Sequence, residues 1–428
     1  MARALASQVA LREVWAWSMY DFANSAYTTV VITAVFSAYF VSVVCGGASW
    51  ATFAWTAALS LSYAAILFTG PLLGAWADAH AAKKRLLLLT TVGCVAFTAL
   101  LFYAAPGAVA LALVLLVVSN FFYGTGENVI AAFLPELADS EAMGRVSGWG
   151  WAFGYFGGIV ALGLSLAYIQ LAQKAGQSAQ HFVPVTMLIT AAFFAVAAAP
   201  TFLFLRERAR PQRERENPWH RVRETLERAR RYGDLRRFLV CILFYQAGIQ
   251  TVIALAAIYA EQAMKFTTEQ TILLILVVNV TAAVGAFAFG YVQDRIGHVR
   301  AIGFTLVGWL VMIALAYFST SKEWFWVAAN LAGLCMGSSQ AAGRALVGYL
   351  SPPERLAEFF GLWGLATKAA SIVGPLTYGA VTWIFAGNHR LAILATGAFF
   401  LVGLALLKSV DVRRGRAAAL RGEELAGA

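Results

Sequence analysis

LLLLTTVGCVAFTALLFYAA, residues 86–105, follows the basic triplet Lys83-Lys84-Arg85 and carries no charged side chain. Wound as a helix at about 1.5 Å per residue, such a run reaches across the roughly 30 Å hydrocarbon core of a bilayer. Lipid offers no water to satisfy backbone N–H and C=O groups, so the segment has to be helical. Eleven further apolar runs lie near 17–44, 50–77, 108–133, 146–171, 184–205, 238–260, 270–293, 300–319, 324–350, 359–386 and 390–408. Hydrophobic residues make up 60% of the 428, charged residues 13%, and the mean hydropathy is +0.70. A water-soluble fold of this length could not hide so much apolar side chain. The expectation is an all-α integral membrane protein with twelve transmembrane helices in two pseudo-symmetric six-helix bundles.

The runs divide as six, a break, and six. Residues 206–237 contain twelve arginines, among them Arg206, Arg208, Arg210, Arg221, Arg223, Arg228, Arg230 and Arg231, and no run of membrane length. The expected organisation is an N-terminal bundle over 1–205, a basic cytoplasmic connector over 206–237, a second bundle over 238–410 and a cytoplasmic tail over 411–428. Asn217-Pro218 reads as the cap and first turn of a short amphipathic helix over 217–232. The plain reading is a linker lying on the anionic inner leaflet, with partner docking or regulation as the alternative.

With the N-terminus in the cytoplasm, that side holds Arg3, Arg12, Lys83, Lys84, Arg85, Arg145, the connector arginines, Arg295, Arg300 and Arg355. The tail adds Lys408, Arg413, Arg414, Arg416 and Arg421, whereas the opposite loops hold only Lys174, Lys265, Lys322 and Arg390. This positive-inside bias puts both termini in the cytoplasm. It also accounts for the net charge of +10 without nucleic acid. The Ala- and Arg-rich composition and short loops point to a bacterial inner membrane. Cys45, Cys94, Cys241 and Cys335 lie in or beside apolar runs and read as small core residues, not as metal, disulfide or redox groups. No cleavable signal peptide is expected.

The two halves repeat weakly. Gly74-x-x-x-Asp78 matches Gly290-x-x-x-Asp294-Arg295, Gly124 to Glu127 matches Gly337 to Gln340, Gly148 matches Gly361, and Tyr20 pairs with Tyr245. Duplication of this kind marks secondary transporters, whose substrate site lies between the repeats near the bilayer midplane. The loops 74–85 and 290–300 resemble the signature loop of the major facilitator superfamily. The second copy keeps Asp294, Arg295 and Gly297; the first has Ala79 where an Arg is usual and lacks the glycine. Asp78, Arg85, Asp294 and Arg295 form the expected latch, with Asp78 at the positive N-terminus of a neighbouring helix in one conformation. A polar turn bearing positive-inside charge is the plainer alternative.

Four ionisable groups stand inside apolar spans: Asp21, Glu127, Arg344 and Lys368. Such groups are costly in hydrocarbon and face a cavity or a partner. Pairing of Glu127 with Arg344 in one state and not another would gate the inner mouth; snorkelling or static ties are the alternatives. In the first span, Y-D-F-A-N-S-A-Y at 20–27 mixes Asp21, Asn24 and Ser25 with Tyr20, Phe22 and Tyr27. Residues 20, 24 and 27 share one helical face, which suits a water-filled cavity for an amphipathic solute or, failing that, helix–helix hydrogen bonding. The seventh span offers Tyr245, Gln246, Gln250 and Thr251, and Asn128 and Gln340 are further cavity candidates.

W-S-M-Y-D-F-A-N-S-A-Y at 17–27, A-F-L-P-E-L-A at 132–138, G-R-V-S-G-W-G-W-A-F-G-Y-F-G-G at 144–158, G-I-Q-T-V at 248–252 and S-P-P-E-R-L-A-E-F-F-G-L-W-G-L-A-T-K-A-A-S at 351–371 together resemble one family. It is the vacuole-effluxer-like branch of the major facilitator superfamily, related to the autophagy-linked amino-acid exporter of the yeast vacuole. The resemblance implies two six-helix bundles, alternating access, a monomer, and export of amino acids or similar metabolites. Two departures bear on the site. Ala247 stands where family members often carry an acid, and Ala131-Ala132 stand where an Asn is common, with Glu127 and Asn128 a turn earlier.

The expected function is therefore a secondary active transporter for a small solute, with the proton as coupling ion and uniport as the alternative. A non-transporting receptor or scaffold of the same fold would instead depend on the connector, so that deleting 209–232 would abolish its activity while sparing solute flux in a carrier. An enzyme is not expected: the five histidines lie in different loops, and no Ser/His/Asp set or metal spacing is present. Gly148, Gly150, Gly154, Gly157 and Gly158 follow no strand and precede no G-K-[ST], so they read as helix-packing positions, not a phosphate loop. The expected partners are the solute, the proton and the bilayer; no cofactor, metal or nucleic acid is expected.

Overall fold

The computed structural model describes residues 9–137, 143–208, 218–352 and 356–424, and these are helices and short turns with no strand among them. Twelve long helices follow one another: α1 Leu11–Val44, α2 Ala51–His80, α3 Lys83–Tyr103, α4 Val109–Ala131, α5 Met143–Lys174 and α6 Ala179–Phe204. Then come α7 Gly233–Gln262, α8 Thr268–Ile296, α9 His298–Phe318, α10 Lys322–Leu350, α11 Leu356–Ile384 and α12 His389–Leu407. Eleven are long and apolar enough to cross a membrane; α10 falls short because Asn330, Ser338, Ser339, Gln340 and Arg344 dilute its apolar character. A connector helix, Pro218–Ala229, and a tail helix, Val412–Glu424, complete the set. The tail helix was not an expectation of the sequence.

Helix α1 is not uniformly wound. Tyr27–Ala34 and Phe40–Val44 are π-helical, separated by an ordinary turn at Phe36–Tyr39. The first π stretch contains Thr28-Thr29-Val30-Val31-Ile32-Thr33, where the Thr29 hydroxyl bonds back to the Ser25 carbonyl at 2.8 Å. Back-bonding of this kind competes with the helical ladder and bends helices.

The chain forms two compact units. The first takes α1–α6 together with Ile253–Leu276 and Thr382–Gly387; the second takes the rest of α7–α12 with the connector and tail helices. In the first, α1 lies against α5 and α6, α4 against α2 and α3. Glycine makes the close approach of α1 and α5 possible: a Cβ on Gly157 would run into the Phe22 carbonyl oxygen. In the second unit a Cβ on Gly374 of α11 would strike the Ala247 carbonyl oxygen of α7. Likewise the Tyr20 hydroxyl lies on Gly126, and the Tyr245 hydroxyl on Gly343.

These paired contacts fix the register of the repeat. Tyr20 and Phe22 correspond to Tyr245 and Ala247, and Gly126 and Gly157 to Gly343 and Gly374. The sequence matches of Gly124 with Gly337 and Gly148 with Gly361 are thus one helical turn out of register. In the corrected register Glu127 corresponds to Arg344, and Asp21 to Gln246.

Each unit closes the end nearest its own first residue with the same device. In the first, Glu13 at the start of α1 is buried and pairs with Arg208, just past α6, at 2.9 Å. Lys83 reaches Glu136 at 3.0 Å, and the Glu207 carboxylate accepts the backbone N–H groups of Lys83 and Lys84 at 2.7 and 3.0 Å. An anion at a helix N-terminus is favoured by the free N–H groups there. In the second, buried Asp234 at the start of α7 takes both Nε and Nη2 of Arg414, at 2.7 and 2.6 Å, which anchors the tail helix. Arg416 adds a bond to the Tyr349 carbonyl and a cation–π contact with its ring. Arg208→Ala strands Glu13 in a buried site. It should cost about 3 kcal/mol, the low end for a broken buried pair because Arg208 is partly exposed. Thermal unfolding in detergent checks this, and Glu13→Gln in the same background should recover part of the loss.

Candidate functional site

A polar seam runs between α1 and α4 inside the first unit. Ser119, Tyr123 and Glu127 recur every four residues on α4 and so share one face. The Tyr27 hydroxyl of α1 meets the Ser119 hydroxyl at 2.7 Å, and its ring stacks on Tyr123 with centroids 4.9 Å apart. The Thr28 hydroxyl donates to the Tyr123 oxygen at 2.7 Å, and the Tyr123 hydroxyl donates to Glu127 Oε1 at 3.2 Å. Tyr27 and Tyr123 are buried, Glu127 is half-buried and Asn128 is exposed. The result is a continuous donor–acceptor line, Thr28 to Tyr123 to Glu127, inside an apolar span. Such a line can orient a carboxyl group and pass a proton to it.

The other expected residues of α1 are placed as follows. Tyr20 is buried, shares a hydrogen bond with Thr91 at 3.1 Å and meets Phe194 edge-on. Asp21 is half-buried and its carboxylate lies over Gly150 of α5. Asn24 is buried, and its Nδ2 has no hydrogen-bond partner among the described residues. The fold therefore joins Tyr27 to Glu127, while Tyr20 points toward α3 and α6 and Asp21 toward α5.

In the second unit, Tyr245 and Gln246 are buried on α7, and the Tyr245 hydroxyl and Gln246 Oε1 lack partners among the described residues. Gln250 and Gln340 are half-buried. The Arg344 guanidinium of α10 lies 5.2 Å from the centre of the Trp363 ring of α11, and the Trp363 Nε1 is buried with no partner among the described residues. A guanidinium over an indole is a cation–π contact, which accommodates the charge within an apolar span. Lys368 is half-buried on α11; Gly364 and Gly361, four and seven residues before it, border open space.

Of the expected latch, Arg85 and Arg295 are exposed at the start of α3 and near the end of α8. The side chains of Asp78 and Asp294 lie outside the described residues. Buried Gln293 next to Asp294 bonds to His298 and to the Ala342 carbonyl, tying α8 to α9 and α10. Sequence reasoning missed Thr28, Ser119, Tyr123 and Trp363. The four-residue spacing of Ser119, Tyr123 and Glu127 was the signal available for two of them. No cluster of His, Cys, Asp and Glu that could hold a metal occurs among the described residues.

Residues 40–420 match the family model described as vacuole effluxer Atg22 like. The chain is 30% identical over 404 residues to the uncharacterized MFS-type transporter YxiO of Bacillus subtilis (strain 168), a match covering 92% of this chain and 94% of that one. It is 25% identical over 312 residues to autophagy-related protein 22-1 of Penicillium rubens, covering 66% of this chain and 52% of that protein. The chain thus spans about half the length of that fungal relative. Among solved structures, a point mutant of the nucleoside transporter NupG superposes with a TM-score of 0.71 at 14% identity, covering 93% of this chain and 99% of that one. The human organic anion transporter MFSD10 gives 0.66 at 15% identity, covering 92% and 99%. At these identities the likeness is one of fold, the twelve-helix fold of major facilitator transporters.

Proposed function

Because the chain belongs to the vacuole effluxer Atg22-like family of major facilitator membrane transporters, we propose that it carries a small solute by proton-coupled alternating access. The observation that carries the reading is the hydrogen-bonded line Thr28–Tyr123–Glu127 on the α1–α4 seam. Intramembrane carboxylates recur in proton relays because they can bind and release a proton within an apolar span. Glu127 is the proton acceptor of the cycle, oriented by Tyr123. Arg344, its counterpart in the repeat, supplies the positive site. Duplication followed by divergence has left an acid in one half and a base in the other.

The candidates for solute contact are Tyr27, Asn24 and Asn128 in the first unit and Gln246, Gln250, Gln340, Arg344 and Lys368 in the second. This is a lining for an amphipathic metabolite with at least one negative group, amino acids included. Six-helix bundles over 1–205 and 238–410 rock about it, with Asp78, Arg85, Asp294 and Arg295 as latch. The working unit is a monomer in a bacterial inner membrane with both termini in the cytoplasm. A thermal-shift screen of purified protein against amino acids, organic acids, sugars and nucleosides tests the solute class. A ligand at about 100 times its Kd stabilises the folded state by about 2.7 kcal/mol. Stabilisation by sugars or nucleosides and not by carboxylates would overturn the assignment of an anionic group.

A further inference from the structure

One carboxylate in the first unit has no role in the seam. Glu261 stands one residue before the end of α7, in the stretch Ile253–Leu276 that belongs to the first unit. It is half-buried, and its Oε1 is buried with no hydrogen-bond partner among the described residues. The groups acting on it are the hydroxyls of Thr268, at the start of α8, and Ser42, in the π-wound end of α1; no charged side chain is among them. The charged groups of the packed elements lie elsewhere. Glu269 on α8 accepts a hydrogen bond from Gln170 of α5 at 2.7 Å, and Lys265 in the α7–α8 turn is exposed. After Asp21, α1 carries no charged residue.

Two further contacts lie at the same end of the first unit. Gln170 and Glu269 join α5 to α8, and Phe53 of α2 stacks on Trp383 of α11 with centroids 4.9 Å apart. Ser42, Glu261, Phe53 and Trp383 all belong to the first unit, so this end is drawn together by parts of α7, α8 and α11. A transporter that admits solute from this end has to release those contacts. Ionised, Glu261 would place charge on a buried oxygen with hydroxyls but no cation near it, which is costly. Neutral, it fits.

We propose that Glu261 is a second proton-binding site, whose protonated form holds this end of the first unit closed and whose ionised form releases it. Closing takes up a proton from the side on which the α1–α2 turn lies, and opening returns it. The proton is thus bound where solute enters or leaves, separately from Glu127. The inference rests on the transporter reading of the fold but not on Glu127 as coupling residue.

The test reads closure directly. In a Cys45→Ser background, Phe53→Cys and Trp383→Cys place thiols where the rings stack, and a short bifunctional maleimide bridges them only when this end is closed. The protein is full-length and in lipid nanodiscs with sodium-free buffer, at about pH 5 and about pH 8, both above the ordinary glutamate value of about 4.3, so that exposed carboxylates are mostly ionised throughout. Thiol reactivity alone makes bridging rise with pH. The expected result is the opposite: bridging falls several-fold from the acid to the alkaline condition, and Glu261→Gln keeps it high at both. Ser42→Ala, which leaves the acid in place but removes a neighbouring hydroxyl, should shift the midpoint; it serves if Glu261→Gln fails to fold. Identical pH profiles for parent and variants would overturn the proposal. Loss of pH-dependent solute flux with the closure profile intact would instead overturn the coupling reading alone.

Discussion

Glu127→Gln should abolish proton-driven solute uptake in proteoliposomes while leaving the protein folded. The substitution keeps the shape of the side chain and its capacity to accept the Tyr123 hydrogen bond, but removes the titrating group. Loss of a proton-transferring group at a working site lowers rates by on the order of 10² or more, and uptake driven by a pH gradient should fall by that much. Solute counterflow, which needs no net proton movement, should fall far less. Tyr123→Phe, which removes the donor and leaves the acid, should have an intermediate effect. The pair separates positioning from titration. Unchanged pH dependence in Glu127→Gln would remove Glu127 from the coupling role and leave the seam a structural tie between α1 and α4.

Gly157→Ala should destabilise the protein by about 2 kcal/mol, within the range for forcing extra volume into a packed interface. Its new Cβ would collide with the backbone of Phe22, which cannot rotate away as a side chain can. Gly374→Ala should cost a similar amount, because the Ala247 backbone stands in the same relation to it. Close helix approach through small residues is a main source of packing energy in membranes, so α1 would be pushed off α5. Gly163→Ala in the same helix borders open space and provides the control. It should be neutral or stabilising by up to about 1 kcal/mol, the difference in helix propensity. Thermal unfolding in one detergent measures all three. Equal effects at Gly157 and Gly163 would rule out the close contact.

The twelve spans were legible because apolar runs of membrane length have little alternative to a helix. Their ends were less so: α1 begins at Leu11, ahead of the apolar run, because buried Glu13 finds Arg208 far along the chain. The connector helix announced itself through Pro218. The tail helix did not, since its arginines dominate its composition and its docking depends on Asp234, 180 positions from Arg414. The repeat was visible but misregistered, because glycines at 150, 154 and 158 recur about once per turn and permit several alignments. The contacts of Tyr20 with Gly126 and Tyr245 with Gly343, with those of Gly157 and Gly374 on the Phe22 and Ala247 carbonyls, select one. At the site, Glu127 stood out as a charge in an apolar run. Tyr123 and Ser119 looked like ordinary span residues until their hydroxyls were placed against Tyr27 and Thr28. Glu261 sits at the rim of a span, where a charge needs no explanation, and only its neighbours make it unusual.

The wider winding of α1 gives that helix slack. Tightening one such turn to ordinary pitch swivels everything beyond it by about 100°, the angle between successive residues of an α-helix. Ser42 lies past the first of the two stretches and inside the second. A corkscrew motion along α1, in which five-residue backbone bonds are exchanged for four-residue ones, can therefore carry Ser42 away from Glu261 with no hinge, so the tyrosine seam and the distant rim share a single mechanical shaft.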